Sequence, residues 1–237
     1  MLVRIKYAKP NAGRFLSHLD LLHAWERAIR RTGAPLAFSQ GYNPHPKLSF
    51  GSALSVGTTS DGEYMDVELT KDIDAQAFRQ SLAETLPPAL TLLELAVIPK
   101  KSAALMSVIN RAAYRVTVRL VHAVQQAELD AVMMQFLALE EVKVLRFKKN
   151  SRDKREVDIR SGIFTLTGQV QPEGERIMLE MLLQTGSEGN VRPDEVVMGL
   201  MQAGLPVVED IERIHRLGLY VEQEGQLHSP LALGLKE

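Results

Sequence analysis

Two histidines, a lysine and a tyrosine near the start of the sequence are the residues best suited to chemistry. In "FSQGYNPHPKLSF", residues 38–50, His45 stands between Pro44 and Pro46. Proline fixes its own φ and biases the residue before it toward an extended conformation, so the backbone is restrained at four successive positions, 43–46. That is more rigidity than a turn needs. A histidine held this way loses little entropy on meeting a ligand. Its neighbours Tyr42, Asn43 and Lys47 offer a stacking ring, an amide donor and acceptor, and a cation, a set suited to a nucleotide or phosphodiester. The same rigidity would serve a connection that only aligns two strands.

The second histidine, His18, opens an expected helix. Ser17 is placed to cap it, Asp20 stands at the acidic position of a capping box, and Leu16 and Leu21 can form the staple across the cap. At about 100° per residue, Leu21, Leu22, Trp25, Ala28 and Ile29 share one side, while His23, Arg27, Arg30 and Arg31 fall on the other. His18 then lies at the N-terminal edge of the buried face. The free N–H groups and positive dipole end there suit a phosphate and favour a neutral imidazole, which could act as base or donor. A histidine that packs beside the cap and bonds locally is the plainer alternative. His18 and His23 are five apart, off the i, i+4 spacing of a helical ligand pair, and no metal site is read from the sequence.

Charge is segregated although the whole chain carries only −1. Residues 1–50 sum to +6, 51–142 to −5, 143–160 to +5 and 161–237 to −7. Two basic blocks in a neutral chain point to a localised anionic partner, or to two solvated basic surfaces. In the second block, "KVLRFKKNSRDKREVDIR", Lys154, Glu156, Asp158 and Arg160 alternate with Arg155, Val157 and Ile159. Lys148, Lys149, Arg152 and Lys154 surround an expected hairpin loop and could follow a phosphate backbone. Cysteine is absent, which removes disulfides, thiolate zinc, cysteine nucleophiles and any iron–sulfur cluster held by this chain. There is no P-loop, dinucleotide fingerprint or GxSxG elbow. No segment reaches the length of a membrane span, and "MLVRIKYAKP" lacks the apolar core of a signal peptide, so a soluble cytoplasmic protein is expected.

The elements that must position these residues follow from periodicity. "LVRIKYAK" alternates as a half-buried strand, with Val3, Ile5 and Tyr7 inward and Arg4, Lys6 and Ala8 outward. After the His18 helix, ended by Gly33 and Pro35, come a short strand at 36–38, strands at 47–56 and 63–69 joined through "GTTSDG", a helix "DAQAFRQSLAETL" and a strand "LTLLELAVI". The order β, α, β, β, α, β is the split βαβ unit. A second pass gives "AYRVTVRL", "AELDAVMMQFLAL", "VKVLRFKK", "EVDIRSGIFTLTG", "RIMLEMLLQTG", "RPDEVVMGLMQAG" and a last strand near "IHRLGLYVEQ". The expected fold is therefore α+β, with two tandem ferredoxin-like domains: residues 1–100, a linker at 101–111, and residues 112–237.

"GRFLSHLDLLHAWERAIRRTGAPLAFSQGYNPHPKLSFGSALSVGTTSDGEYMDVEL" closely resembles the radical-SAM-linked proteins of unknown function, in which SHLD, a helix, SQGFNPHPK and EYMDVEL recur. Tyr42 stands where phenylalanine is expected. Farther on, only "KREVDIR" and "RPDEV" look similar. The resemblance implies a bacterial protein encoded beside, or fused behind, a radical SAM protein with a cobalamin-type domain, often near genes for ribonuclease E/G and ribosomal proteins. The iron–sulfur cluster, S-adenosylmethionine and cobalamin would belong to that partner, with no cofactor on this chain. A weaker likeness, of fold alone, is to the CRISPR repeat-processing endoribonucleases of the RAMP superfamily, which cleave RNA without metal.

Three functions follow as expectations. An RNA-binding accessory subunit would present RNA to the radical SAM partner, with Arg27, Arg30, Arg31, Lys148, Lys149 and Arg152 on phosphates and Tyr42, Asn43, His45 and Lys47 on an unpaired nucleotide. A docking module would bind the partner without RNA. A metal-independent ribonuclease would use His18 or His45 as base and Lys47 to stabilise developing charge.

Overall fold

The computed structural model of the protein describes residues 1–147 and 153–233. In chain order its elements are β1 (Leu2–Lys9), α1 (His18–Arg31), β2 (Leu48–Phe50), β3 (Thr59–Glu68), α2 (Ala75–Thr85), β4 (Thr91–Ile98), α3 (Leu105–Val108), β5 (Arg111–Leu120), α4 (Gln126–Ala138), β6 (Lys143–Phe147), β7 (Lys154–Asp158), β8 (Ile163–Val170), β9 (Arg176–Gln184), α5 (Pro193–Gln202), β10 (Val207–Gln223), β11 (Gln226–His228) and α6 (Pro230–Leu233). The fold is α+β. It divides into two compact units, one of Met1–Arg111 with the described residues from Arg216 onward, the other of Ala112–His215.

In the first unit β1 lies between β3 and β4, antiparallel to both, with Ile5 opposite Met65 on one side and Leu95 on the other. β2 pairs with β3. The strand order β4-β1-β3-β2 is that of a split βαβ unit. Inward residues of the strands, Val3, Ile5, Tyr7, Met65 and Val67, meet Leu21, Ala24, Trp25, Ala28 and Ile29 of α1 and Phe78 and Leu82 of α2. Each large apolar side chain fully buried here is worth about 1.5–3 kcal/mol. Ala24 takes the buried place expected for Leu22, which is half-buried. Both helices begin on side-chain caps: Ser17 accepts the Asp20 N–H, and Asp74 accepts those of Gln76 and Ala77. Gly33, at φ +75°, lets the chain leave α1 through a conformation that side chains resist.

Several sequence expectations are corrected here. The linker expected at 101–111 is part of the first unit: it contains α3, and Leu105 and Ile109 are buried. The strand expected at 47–56 is only β2, because Arg216 binds the carbonyls of Ser52 and Ala53 and draws the chain out of the ladder. "GTTSDG" mostly enters β3, with Thr58, Thr59 and Ser60 buried. Arg4, expected outward, is 2% exposed and donates to both oxygens of Asp66 at 2.7 and 2.9 Å and to the carbonyls of Pro230 and Ala103. The described residues from Arg216 onward, expected in the C-terminal domain, group with the first unit.

The second unit repeats the plan with strand order β10-β5-β9-β8. α4 and α5 approach closely because residue 199 is glycine, where a Cβ would stand 2.7 Å from the Phe136 ring. Between α4 and β8 the chain inserts a separate two-stranded ribbon, β6 against β7. "EVDIRSGIFTLTG" is thus not one strand. Asp158 accepts the N–H groups of Val142 and Arg160, and the chain passes through a 3₁₀ turn, Arg160–Gly162, before β8.

Candidate nucleic-acid interface

The loop holding His45 closes on itself. Ser39 N–H donates to the His45 carbonyl at 2.8 Å, His45 N–H donates to Ser39 Oγ at 3.0 Å, and Phe38 bridges Pro46. Lys47 N–H then donates to the Ala37 carbonyl. The backbone of the histidine is consumed in this closure, and residues 40–45 stand outward. Tyr42 is fully exposed, and Asn43 and His45 are exposed beside it. The prolines and the Ser39–His45 closure therefore hold the base of a short loop that presents exposed polar side chains, so less backbone ordering remains to be paid on meeting a partner.

α1 runs along this segment. His18, Leu22, Glu26 and Arg30 recur at i, i+4 and form one row, about 18 Å long at 1.5 Å per residue. At its start the His18 ring meets Phe50 edge-on, with centroids 5.2 Å apart. At its end the Arg30 guanidinium lies 5.3 Å from the Phe38 ring centroid and pairs with Glu26 at 2.9 Å. The row thus spans from β2 to the base of the His45 loop. Arg27 is exposed, whereas Arg31 turns away and donates to the Thr85 carbonyl at the end of α2. Arg30 and Arg31 therefore diverge and do not form one phosphate grip.

The start of α1 is also less open to phosphate than its dipole suggests. The Asp20 carboxylate accepts from Ser17 Oγ at 2.6 Å and Ser17 N–H at 3.2 Å, so the helix end already holds an anion. The Ser17 hydroxyl, then its N–H, hold the Asp20 carboxyl below the usual range. Lys47 pairs across the ladder with Glu68 at 3.0 Å, which compensates its charge.

Beneath these loops lies a buried polar network that sequence reasoning missed. Glu63 accepts from Arg216 at 2.9 and 3.1 Å and from Ser60 Oγ at 2.7 Å, and Arg216 is 3% exposed. Lys9, 2% exposed, donates to the Arg14 carbonyl at 3.4 Å, and the same carbonyl accepts Gly57 N–H at 2.8 Å. Burial pushes the Lys9 ammonium below its ordinary value. Two buried cations thus tie the connections on either side of the α1 start, which carry the exposed Phe15 and Val56. The Arg14 guanidinium lies 4.6 Å from the Phe15 ring centroid. The only sequence signal was a polar run, "TTSDGE", ahead of an apolar strand.

In the second unit, the basic block resolves into the ribbon. Lys148, Lys149 and Arg152 lie outside the described residues. Arg146 donates to both oxygens of Glu195 at 2.7 and 2.6 Å and to the Asn190 carbonyl. Burial opposes ionisation of Glu195, but these bonds, the Arg192 N–H and the two guanidinium charges outweigh it, leaving the carboxyl below its ordinary value. A carboxyl depressed on folding contributes stability above its unfolded pKa of about 4.3, lost as pH falls through the folded value. The stability gap between the wild type and Glu195→Gln should accordingly be full at neutral pH and shrink on acidification, as read from denaturant midpoints across pH. A gap constant with pH would remove this role from the carboxylate.

Among the described residues, no group of three or more His, Asp or Glu side chains could hold a metal ion, and no helix is long and apolar enough to cross a membrane. Among curated proteins, none matches this sequence. Among solved structures, the fold is similar to a chain in the crystal structure of a Cbf5-Nop10-Gar1 complex, with TM-score 0.56 and 11% identity over 94% of this chain and 50% of that one. A chain of an H/ACA RNP bound to a substrate RNA containing 2'-deoxyuridine is similar at TM-score 0.50 and 11% identity, over 90% and 46%. This chain spans about half the length of those structural relatives, and the likeness is one of fold. A family model described as an uncharacterized protein conserved in bacteria (DUF2344) matches residues 3–193, and the chain belongs to that family.

Proposed function

We propose that this protein is an RNA-binding accessory subunit that presents RNA to a separate radical SAM enzyme. The observation that carries the RNA reading is the closed loop of residues 38–47, with Tyr42, Asn43 and His45 exposed, abutting the α1 row through Phe38 and Arg30. A ring, an amide and an imidazole presented on a closed loop suit an unpaired nucleotide, and Arg27 and Arg30 alongside suit its phosphates. Similarity of fold to a chain of an H/ACA RNP bound to a substrate RNA supports RNA over other polyanions. The sequence resemblance, with the absence of cysteine, supports a reading in which the radical chemistry belongs to a partner.

The test is a titration of labelled total small RNA with the full chain at several salt concentrations. Log affinity should fall linearly with log salt, with a slope of about −0.7 per phosphate contacted on a single strand. Arg27→Gln with Arg30→Gln should flatten that slope by about 1.4. No binding at low salt, or an unchanged slope in the double variant, would remove α1 from the interface.

A second reading, docking of the partner without RNA, is favoured by three exposed apolar side chains around the start of α1: Phe15 at 71%, Leu19 at 66% and Val56 at 59%. Recovery of the partner from nuclease-treated lysate, lost in Leu19→Asp, would support it, and loss of the complex on nuclease treatment would support an RNA bridge.

A further inference from the structure

The β6–β7 ribbon has no part in either sheet core, yet it is rigidly mounted. Its inner side supplies buried Val144 and the Arg146 contact to Glu195, and Arg160 fixes its base by donating to the Leu137 carbonyl at 2.6 and 3.2 Å. In the ladder, Lys143 faces Asp158, Leu145 faces Glu156 and Phe147 faces Lys154. Directly opposed residues share a side, so these six form the outer side. On it Leu145 is 57% and Phe147 67% exposed, about 7 Å apart along the strand. Lys154 Nζ lies 5.2 Å from the Phe147 ring centroid.

We infer that the outer side of this ribbon is a stacking platform for an unpaired nucleotide of single-stranded RNA, with the base on Phe147 and a phosphate on Lys154. The inference rests on the RNA reading and deepens it, by naming single strands and a second point of contact. Among the described residues, the side of the ribbon that packs is the other one, and Leu145 and Phe147 remain mostly exposed. The Lys154 ammonium lies over one face of the Phe147 ring, so a base would stack on the rest of the exposed ring while the ammonium meets its phosphate, because every base has a π-face and every linkage a negative charge. Charge also selects RNA over an apolar peptide. Of the acidic residues of this side, Asp158 is at the base, where it accepts the N–H groups of Val142 and Arg160, Glu156 is in the middle pair opposite Leu145, and Lys143 is paired with Glu141 at 2.7 Å. Lys154 stands at the tip end opposite Phe147.

The test uses the full chain and two fluorescent probes of equal length, an unstructured oligonucleotide and a hairpin duplex, at several salt concentrations. Phe147→Ala should weaken the single strand about five- to hundredfold, leave its salt slope unchanged and affect the duplex little. Phe147→Tyr should restore binding, and Lys154→Gln should flatten the slope by about 0.7. Phe147 is mostly exposed, so all three variants should keep the wild-type thermal midpoint. If the wild type binds the single strand and Phe147→Ala binds equally well, this inference falls and the RNA reading stands. If the wild type binds neither probe, both fall. Unchanged RNA affinity with loss of a protein partner from nuclease-treated lysate would make the platform a protein contact and overturn it as well.

Discussion

Arg216→Ala is expected to destabilise the first unit by about 3–5 kcal/mol, seen as a lower denaturant midpoint. The guanidinium is nine-tenths buried or more and makes two bonds to Glu63 and two to the carbonyls of Ser52 and Ala53. Truncation leaves a carboxylate that is 3% exposed without its counter-charge, and two carbonyls without a donor. Most of the loss therefore comes from what remains, and this can be tested. The double variant Arg216→Met, Glu63→Met should be markedly more stable than Arg216→Ala, since it removes both charges and keeps apolar volume. A double variant as unstable as the sum of the two single ones would show that the pair acts independently.

Trp25→Ala should cost a comparable amount, about 3–5 kcal/mol, by opening a cavity at the centre of the first core. Trp25 is fully buried and packs edge-on against Tyr7 at 5.0 Å. Its indole N–H is buried with no acceptor among the described residues, and leaving a buried donor unmade costs about 1–3 kcal/mol. Trp25→Phe loses area but also removes that donor, so its cost should be well under half that of alanine. Equal losses for the two variants in chemical denaturation would mean that the N–H has a partner.

α1 was readable almost to the residue because its signals are local: a capping box at Ser17 and Asp20, an apolar stripe, and a glycine at its end. The bounds of β1 and the loop at His45 were equally legible, the first from alternation and the second from prolines, although alternation put the buried Arg4 on the outer face. The buried network was not, because Glu63 and Arg216 are 153 positions apart and each looks like an ordinary surface charge. The divergence of Arg30 and Arg31 had the same cause. Helical spacing gives direction around the axis but says nothing of the carbonyl of Thr85 that waits beside one of them. In the second unit, the ribbon was hidden because "KREVDIRSGIFTLTG" alternates on both sides of a turn whose cause, the Asp158 carboxylate, is a side chain acting on backbone.

The division of the chain into units carries a consequence for its synthesis. The second unit is one uninterrupted stretch, Ala112–His215, whereas the first is completed only by residues from Arg216 onward. A nascent chain therefore exposes Glu63 without its cation, and an incomplete first core, until the ribosome has translated past position 216. The later-made unit can finish first, the reverse of the usual vectorial order. A fragment ending near residue 100 would be caught in that half-made state indefinitely.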